Sequence, residues 1–219
     1  MTIAEPSVAR SRRLLSAARH APDRLLHASR RRALARRIRG GSVPTRITFI
    51  CHGNICRSPY AAASLQRRLE GSTIGGRILI RSAGFVGPGR PPPPEAIQVA
   101  RAGGLDLSEH RSRLLTVALA MDGALLVVMA PGQRRAVSST FGTPRSRLVL
   151  LGDLDPEPIR TRAIRDPYRQ SADVFKEVYA RIDRCLDTFV RHLLAAAQRD
   201  GGTPVGPRVE GLKPPSRLR

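Results

Sequence analysis

Tryptophan is absent from the 219 residues, tyrosine occurs three times, and only three cysteines are present, at positions 51, 56 and 185. So few cysteines, odd in number, speak against a disulfide framework and suit a reducing compartment; the cytoplasm is the expected location. No Cys-x-x-Cys pair or cysteine–histidine cluster has the spacing of a structural zinc site, so neither a metal nor another cofactor is expected. No apolar run approaches the roughly 18 residues of a membrane-spanning helix. The basic N-terminus lacks the apolar segment that would make it a secretory signal. Lysine is scarce as well: Lys176 and Lys213 are the only two among 38 basic residues. No internal repeat is found.

Acidic residues are also in short supply, 17 against 38, and the net charge is +21. The excess is unevenly spread. Residues 1–44 hold eleven arginines against Glu5 and Asp23, while residues 199–219 hold five basic and two acidic residues. Residues 1–44 therefore read as a basic, flexible extension punctuated by Arg30-Arg31-Arg32 and Arg36-Arg37. Two readings stay open for it: a solvated tail, or a weakly amphipathic helix on an anionic surface such as a membrane. Aromatics are not interleaved with its arginines, which disfavours specific nucleic-acid binding. Gly40-Gly41 and Pro44 mark its end. Residues 45–198, with 41% hydrophobic residues in the chain as a whole, read as one packed domain. Residues 199–219, rich in glycine and proline, read as a disordered tail.

Within the domain, short apolar runs alternate with helical patterns. Ile47-Thr48-Phe49-Ile50 predicts a strand ending at Cys51, and Tyr60 to Glu70 has helical spacing behind Ser58-Pro59. Ile78-Leu79-Ile80 predicts a second strand leading to Ser82-Ala83-Gly84, and a helix is expected from Glu95 to about Ala102. Thr116 can cap a short helix. Ala124 to Met129 reads as a central strand buried on both faces, and Arg147 to Leu151 as a fourth. Asp173 to Gln198 is the longest helical pattern, with Val174, Val178, Ile182, Leu186, Phe189, Val190 and Leu193 on one face. Strands separated by helices imply right-handed crossovers and a four-stranded parallel sheet with helices on both faces, a three-layer α/β/α fold. Ligands bind at the carboxyl ends of such strands, where Cys51, Ser82 and Met129 fall.

The loop Cys51-His52-Gly53-Asn54-Ile55-Cys56-Arg57-Ser58-Pro59 joins a strand to a helix N-terminus. Inward-pointing amides and the helix dipole make such a loop an anion site. Gly53 and Asn54 tolerate positive φ, which lets the backbone curl around a ligand. Arg57 offers a planar fork matched to two phosphate oxygens. The same positive field favours the thiolate of a cysteine at the start of the loop, and Ser58 can donate a hydrogen bond to it. The site thus combines a nucleophile with an oxyanion cradle, fit for attack on phosphorus. It lacks the glycine-glycine-lysine spacing of a nucleotide-binding loop, which disfavours ATP.

These residues, together with Arg81-Ser82-Ala83-Gly84, Gly104-Leu105-x-Leu107-Ser108-x-His110-x-Ser112-Arg113, Asp122, Met129 and Asp166-Pro167-Tyr168, carry a resemblance to the low-molecular-weight protein tyrosine phosphatases. The resemblance covers residues 45–195. It implies hydrolysis of phosphotyrosine in proteins through a phosphocysteine on Cys51, with Asp166 as general acid and then base. Asp153 and Asp155 are weaker candidates for that acid. It further implies that His110 holds Asn54 in a strained conformation, that Ser82 hydrogen-bonds the loop, and that a bacterial tyrosine kinase is among the partners. Cys56, five residues after the nucleophile, is placed to trap an oxidised Cys51 as a disulfide. Cys185 reads as core.

Arg169 follows Asp-Pro-Tyr where relatives often carry an aromatic or glycine, and the loop after the second strand offers Phe85 in place of a tryptophan or tyrosine. Tyr168 and Phe85 are then the expected walls of the substrate pocket. His52 on the rim and Arg169 favour an acidic peptide. Two related chemistries stay open. Arsenate reductases need a further relay cysteine, which Cys185 supplies poorly; protein arginine phosphatases tend to have threonine where Ile55 stands. A non-catalytic phosphate-binding module is a third reading, though binding alone needs neither thiol nor acid.

Overall fold

The computed structural model describes residues 20–200. Four strands, β1 (Arg46–Cys51), β2 (Leu79–Gly84), β3 (Leu125–Val128) and β4 (Leu148–Leu150), form a parallel sheet in the order β2-β1-β3-β4. Cys51 pairs with Gly84, and Ile50 with Val128, so the ends of β1, β2 and β3 converge on one rim. Side chains alternate between two cores, as strand geometry dictates. Ile47, Phe49, Cys51, Val127, Met129 and Val149 point into the larger one. Ile50, Leu126, Val128, Leu148 and Leu150 point into the smaller.

The larger core is roofed by α3 (Arg57–Leu69), α4 (Pro94–Ala102) and the 29-residue α7 (Ala172–Asp200). The smaller is covered by α5 (Val117–Met121) and α6 (Pro131–Phe141). The three-layer α/β/α expectation holds. Thr116 caps α5 by accepting from the Leu119 amide at 3.3 Å. Helix α6 was not expected. Val137 is its one buried residue, so it carries no apolar stripe to detect.

The N-terminal extension departs further from expectation. Residues 1–19 and 201–219 lie outside the described residues, and with them Leu14, Leu15 and the glycine- and proline-rich tail. Residues 21–40, however, form α1 (Ala21–Leu25) and α2 (His27–Gly40), and α2 packs on the domain. The conspicuous pair Leu25-Leu26 stays exposed, whereas Leu34, Ala35 and Ile38 are buried. Polar anchors supplement that narrow stripe: Arg37 donates to the Leu148 carbonyl at 2.9 Å and His27 Nε2 to the Asp155 carbonyl at 2.9 Å. This part of the chain is a docked helix and not a flexible appendage. Among the described residues, no helix is long and apolar enough to cross a membrane.

Candidate active site

Cys51 ends β1, 2% exposed, and α3 starts six residues later at Arg57. Between them the chain turns through Asn54, whose φ of 51° is left-handed and whose side chain is fully buried. Asparagine tolerates that region when its short side chain is held locally. Here Asn54 Oδ1 accepts from the Arg113 amide at 2.8 Å, Nδ2 donates to Ser58 Oγ at 2.8 Å, and His110 Nε2 donates to the Asn54 carbonyl at 2.7 Å. Gly53 keeps a negative φ, so Asn54 alone makes the left-handed turn.

Having accepted from Asn54, the Ser58 hydroxyl has its proton free for Cys51 Sγ, 3.0 Å away. A relay thus runs from Asn54 through Ser58 to the sulfur. Among the described residues, no cluster of three histidine, cysteine or acidic side chains is placed to hold a metal ion.

Arg57 is 4% exposed. Its fork donates through Nη1 to the Ile164 carbonyl at 3.1 Å and through Nη2 to Asp166 Oδ2 at 2.5 Å. The two residues are 109 positions apart, yet one guanidinium joins the loop to the carboxylate. Asp166 is half-exposed and also accepts from the Tyr168 amide. Asp153 and Asp155 are instead buried in ion pairs, with Arg162 at 2.6 Å and with Arg181 at 2.9 Å, and neither is available as an acid.

Tyr168 is exposed at the rim, with the Arg169 guanidinium 5.3 Å and that of Arg90 6.0 Å from its ring centre. Arg90 was not anticipated. It lies in the run Gly89-Arg90-Pro91, and nothing in the sequence ties that loop to Tyr168. His52 is exposed and Ile55 is buried in the larger core.

One expected residue falls elsewhere. Ser82 pairs with Phe49, two residues before the end of β1, and its side chain makes no hydrogen bond to the loop. The strand runs on to Gly84, so the support comes from the backbone beyond it: the Phe85 and Val86 amides both donate to the His52 carbonyl, at 2.7 and 3.3 Å. Phe85 is half-buried and packs against the smaller core. Gly84 is itself a requirement that the sequence reading missed. A Cβ there would sit 2.7 Å from the Asn54 nitrogen and 2.8 Å from the His52 oxygen, both backbone atoms. Gly84→Ala is expected to cost about 3 kcal/mol of stability through that overlap, measurable as a shift in denaturant midpoint, and to lower phosphate affinity.

Cys56 is buried, and burial, followed by the neighbouring Cys51, pushes its thiol up to about 12. It is therefore protonated at neutral pH, as a thiol held in reserve would be. Burial likewise raises Cys185, in the core as expected. Behind the loop, Tyr60 and Tyr179 stack at 3.6 Å, and Tyr60 donates to Asp183 at 2.7 Å, fixing α3 against α7.

Burial depresses the His110 pKa, and the neighbouring charges of Arg113 and Arg111 work in the same direction. The folded state thus binds fewer protons than the unfolded one below the ordinary histidine value of about 6.5. The stabilisation is complete above that value and is lost as pH falls through the depressed folded value. Denaturant midpoints should therefore drop between about pH 7 and 5 in the native protein. They should drop less in His110→Gln, whose amide can still donate to Asn54; equal slopes would refute the assignment.

Residues 46–200 match the model of the family described as low molecular weight phosphotyrosine protein phosphatase. Among curated proteins, the probable low molecular weight protein-tyrosine-phosphatase EpsP of Ralstonia solanacearum is 33% identical over 150 residues, 68% of this chain and 96% of EpsP. Among solved structures, Vibrio vulnificus Wzb in complex with benzylphosphonate is 31% identical with a TM-score of 0.59, covering 68% of this chain and 98% of Wzb. A YwlE arginine phosphatase mutant with a phosphorylated active-site serine is 26% identical with a TM-score of 0.60, covering 68% and 95%.

Proposed function

Because the chain belongs to the low molecular weight protein tyrosine phosphatase family, we propose that its hydrolysis of phosphotyrosine in proteins runs through Cys51, Arg57 and Asp166. The Cys51 thiolate attacks phosphorus while the loop amides and Arg57 hold the three equatorial oxygens. As the P–O bond breaks, Asp166 gives its proton to the phenolic oxygen, leaving phosphocysteine and a free tyrosine side chain. Asp166, now a carboxylate, takes a proton from the water that attacks phosphorus. The P–S bond breaks, inorganic phosphate forms, and Ser58 stabilises the departing thiolate.

The observation that supports this reading is that the guanidinium of the loop's own Arg57 reaches the Ile164 carbonyl and Asp166. Phosphate entering the loop competes for that fork and frees the carboxyl group to face the leaving oxygen. Tyr168, flanked by Arg90 and Arg169, supplies one wall and a positive rim suited to an acidic phosphotyrosine peptide. A bacterial tyrosine kinase carrying phosphotyrosines is the partner we propose. The three free cysteines support a reducing, cytoplasmic location. Condensation of a Cys51 sulfenic acid with the Cys56 thiol, releasing water, would protect the nucleophile as a disulfide.

The test is a panel of phosphotyrosine peptide, phosphoarginine, and arsenate with a thiol reductant. Phosphotyrosine should be the preferred substrate. Asp166→Asn should slow its turnover by about 100-fold or more and let phosphocysteine accumulate. Faster turnover of phosphoarginine would reassign the enzyme as an arginine phosphatase, and arsenate reduction without phosphatase activity would reassign it as a reductase.

A further inference from the structure

The family match begins at residue 46, so α1 and α2 are additions to the matched domain. Their polar contacts converge on one place. After Leu154 the chain has no helix or strand until Ala172, and Asp166 lies in that stretch. A segment without its own ladder of hydrogen bonds keeps its shape only through what touches its backbone.

The N-terminal helices touch its first half at two places, ahead of Asp166. His27 Nε2 donates to the Asp155 carbonyl at 2.9 Å, and Arg31 donates to the Pro156 carbonyl at 2.5 Å. Six residues further, the Arg162 amide donates to Asp23 Oδ2 at 3.2 Å, while Asp23 is steadied by Arg30 at 3.3 Å. The domain grips the same stretch from the other side. Arg162 forks onto Asp153 at 2.7 and 2.6 Å, and Arg181 reaches the Thr161 and Ala163 carbonyls at 2.8 and 2.9 Å. The Ile164 amide donates to Met129, and the Ile164 carbonyl accepts from Arg57. Gly152 allows this packing, since a Cβ there would fall 2.1 Å from the Arg162 oxygen. Asp166 follows two residues after Ile164.

We propose that α1 and α2 form a strap that fixes the acid-bearing segment, with Asp23, His27 and Arg31 as positioning residues for Asp166. The proposal rests on Asp166 being the general acid. General-acid catalysis matters most for poor leaving groups, so a misplaced acid steepens the dependence of kcat/KM on the leaving group. A merely structural loss would lower all substrates alike.

The experiment compares a phosphotyrosine peptide, 4-nitrophenyl phosphate and aryl phosphates of intermediate phenol acidity. In the full chain carrying Asp23→Ala, His27→Leu and Arg31→Met, kcat/KM should fall roughly tenfold for phosphotyrosine and less than about twofold for the nitrophenyl ester. The exposed Arg36→Met, which removes an arginine from the same helix without touching the segment, serves as the control and should leave the slope unchanged. If the triple variant fails to fold, Asp23→Ala alone carries the same test. A folded variant with an unaltered slope overturns the strap, provided Asp166→Asn steepens it. If Asp166→Asn leaves the slope unchanged, the acid assignment falls and the strap with it.

Discussion

Serine in place of Cys51 should lower kcat/KM for aryl phosphates by about 10,000-fold or more while leaving phosphate affinity within a few-fold of native. The sulfur accepts a hydrogen bond from Ser58 at 3.0 Å. A serine hydroxyl in the same place stays protonated at neutral pH, and among the described residues no histidine or carboxylate is hydrogen-bonded to this position to take its proton. Binding, by contrast, depends on the loop amides and Arg57, which the exchange leaves alone. Kinetics on 4-nitrophenyl phosphate and calorimetric titration with inorganic phosphate separate the two effects. Turnover surviving in Cys51→Ser would mean that the nucleophile lies elsewhere.

Lysine in place of Arg57 should cost about 1,000-fold in kcat/KM, with KM rising as well as kcat falling. Charge is retained in this exchange, so the loss measures geometry. The fork serves the Ile164 carbonyl and Asp166 and, on the proposed mechanism, would take two phosphate oxygens. An ammonium on a flexible stem offers no planar pair of donors. It also leaves the Ile164 carbonyl without its partner, worth about 1–3 kcal/mol of stability for a buried acceptor. A loss below tenfold would show that the loop amides alone hold the phosphoryl group.

The loop and its neighbours were legible in the sequence because their chemistry is local. A β-branched strand, a run of loop residues and a serine-proline helix start within a dozen residues leave few conformations to choose from. The acid was legible only by its resemblance, since nothing in Asp166-Pro167-Tyr168 alone says which loop it will meet. Residues whose roles come from backbone contacts were missed or misplaced. Ser82 was expected where Gly84 and the Phe85 amide act, because the end of β2 is fixed by pairing with β1 and not by its own residues. Arg90 reaches Tyr168 across 78 positions, a distance no periodicity encodes. The sequence left α2 open between a tail and a weakly amphipathic helix, because its conspicuous neighbours Leu25 and Leu26 precede it and stay exposed, while a histidine and arginines share its anchoring. Its apolar stripe, Leu34, Ala35 and Ile38, is narrow and set among arginines, so it gives only a weak hydrophobic pattern.

The shared fork of Arg57 also bears on how a catalytic cycle ends. Inorganic phosphate is an anion well suited to the loop, and a site that grips its product slows itself at each turn. Here the carboxylate of Asp166 is a competitor tethered to the same molecule, present at high local concentration whenever phosphate loosens. On the proposed mechanism, each departing phosphate would be replaced on the guanidinium by the enzyme's own side chain, the ion pair acting as an intramolecular displacer that empties the loop for the next substrate.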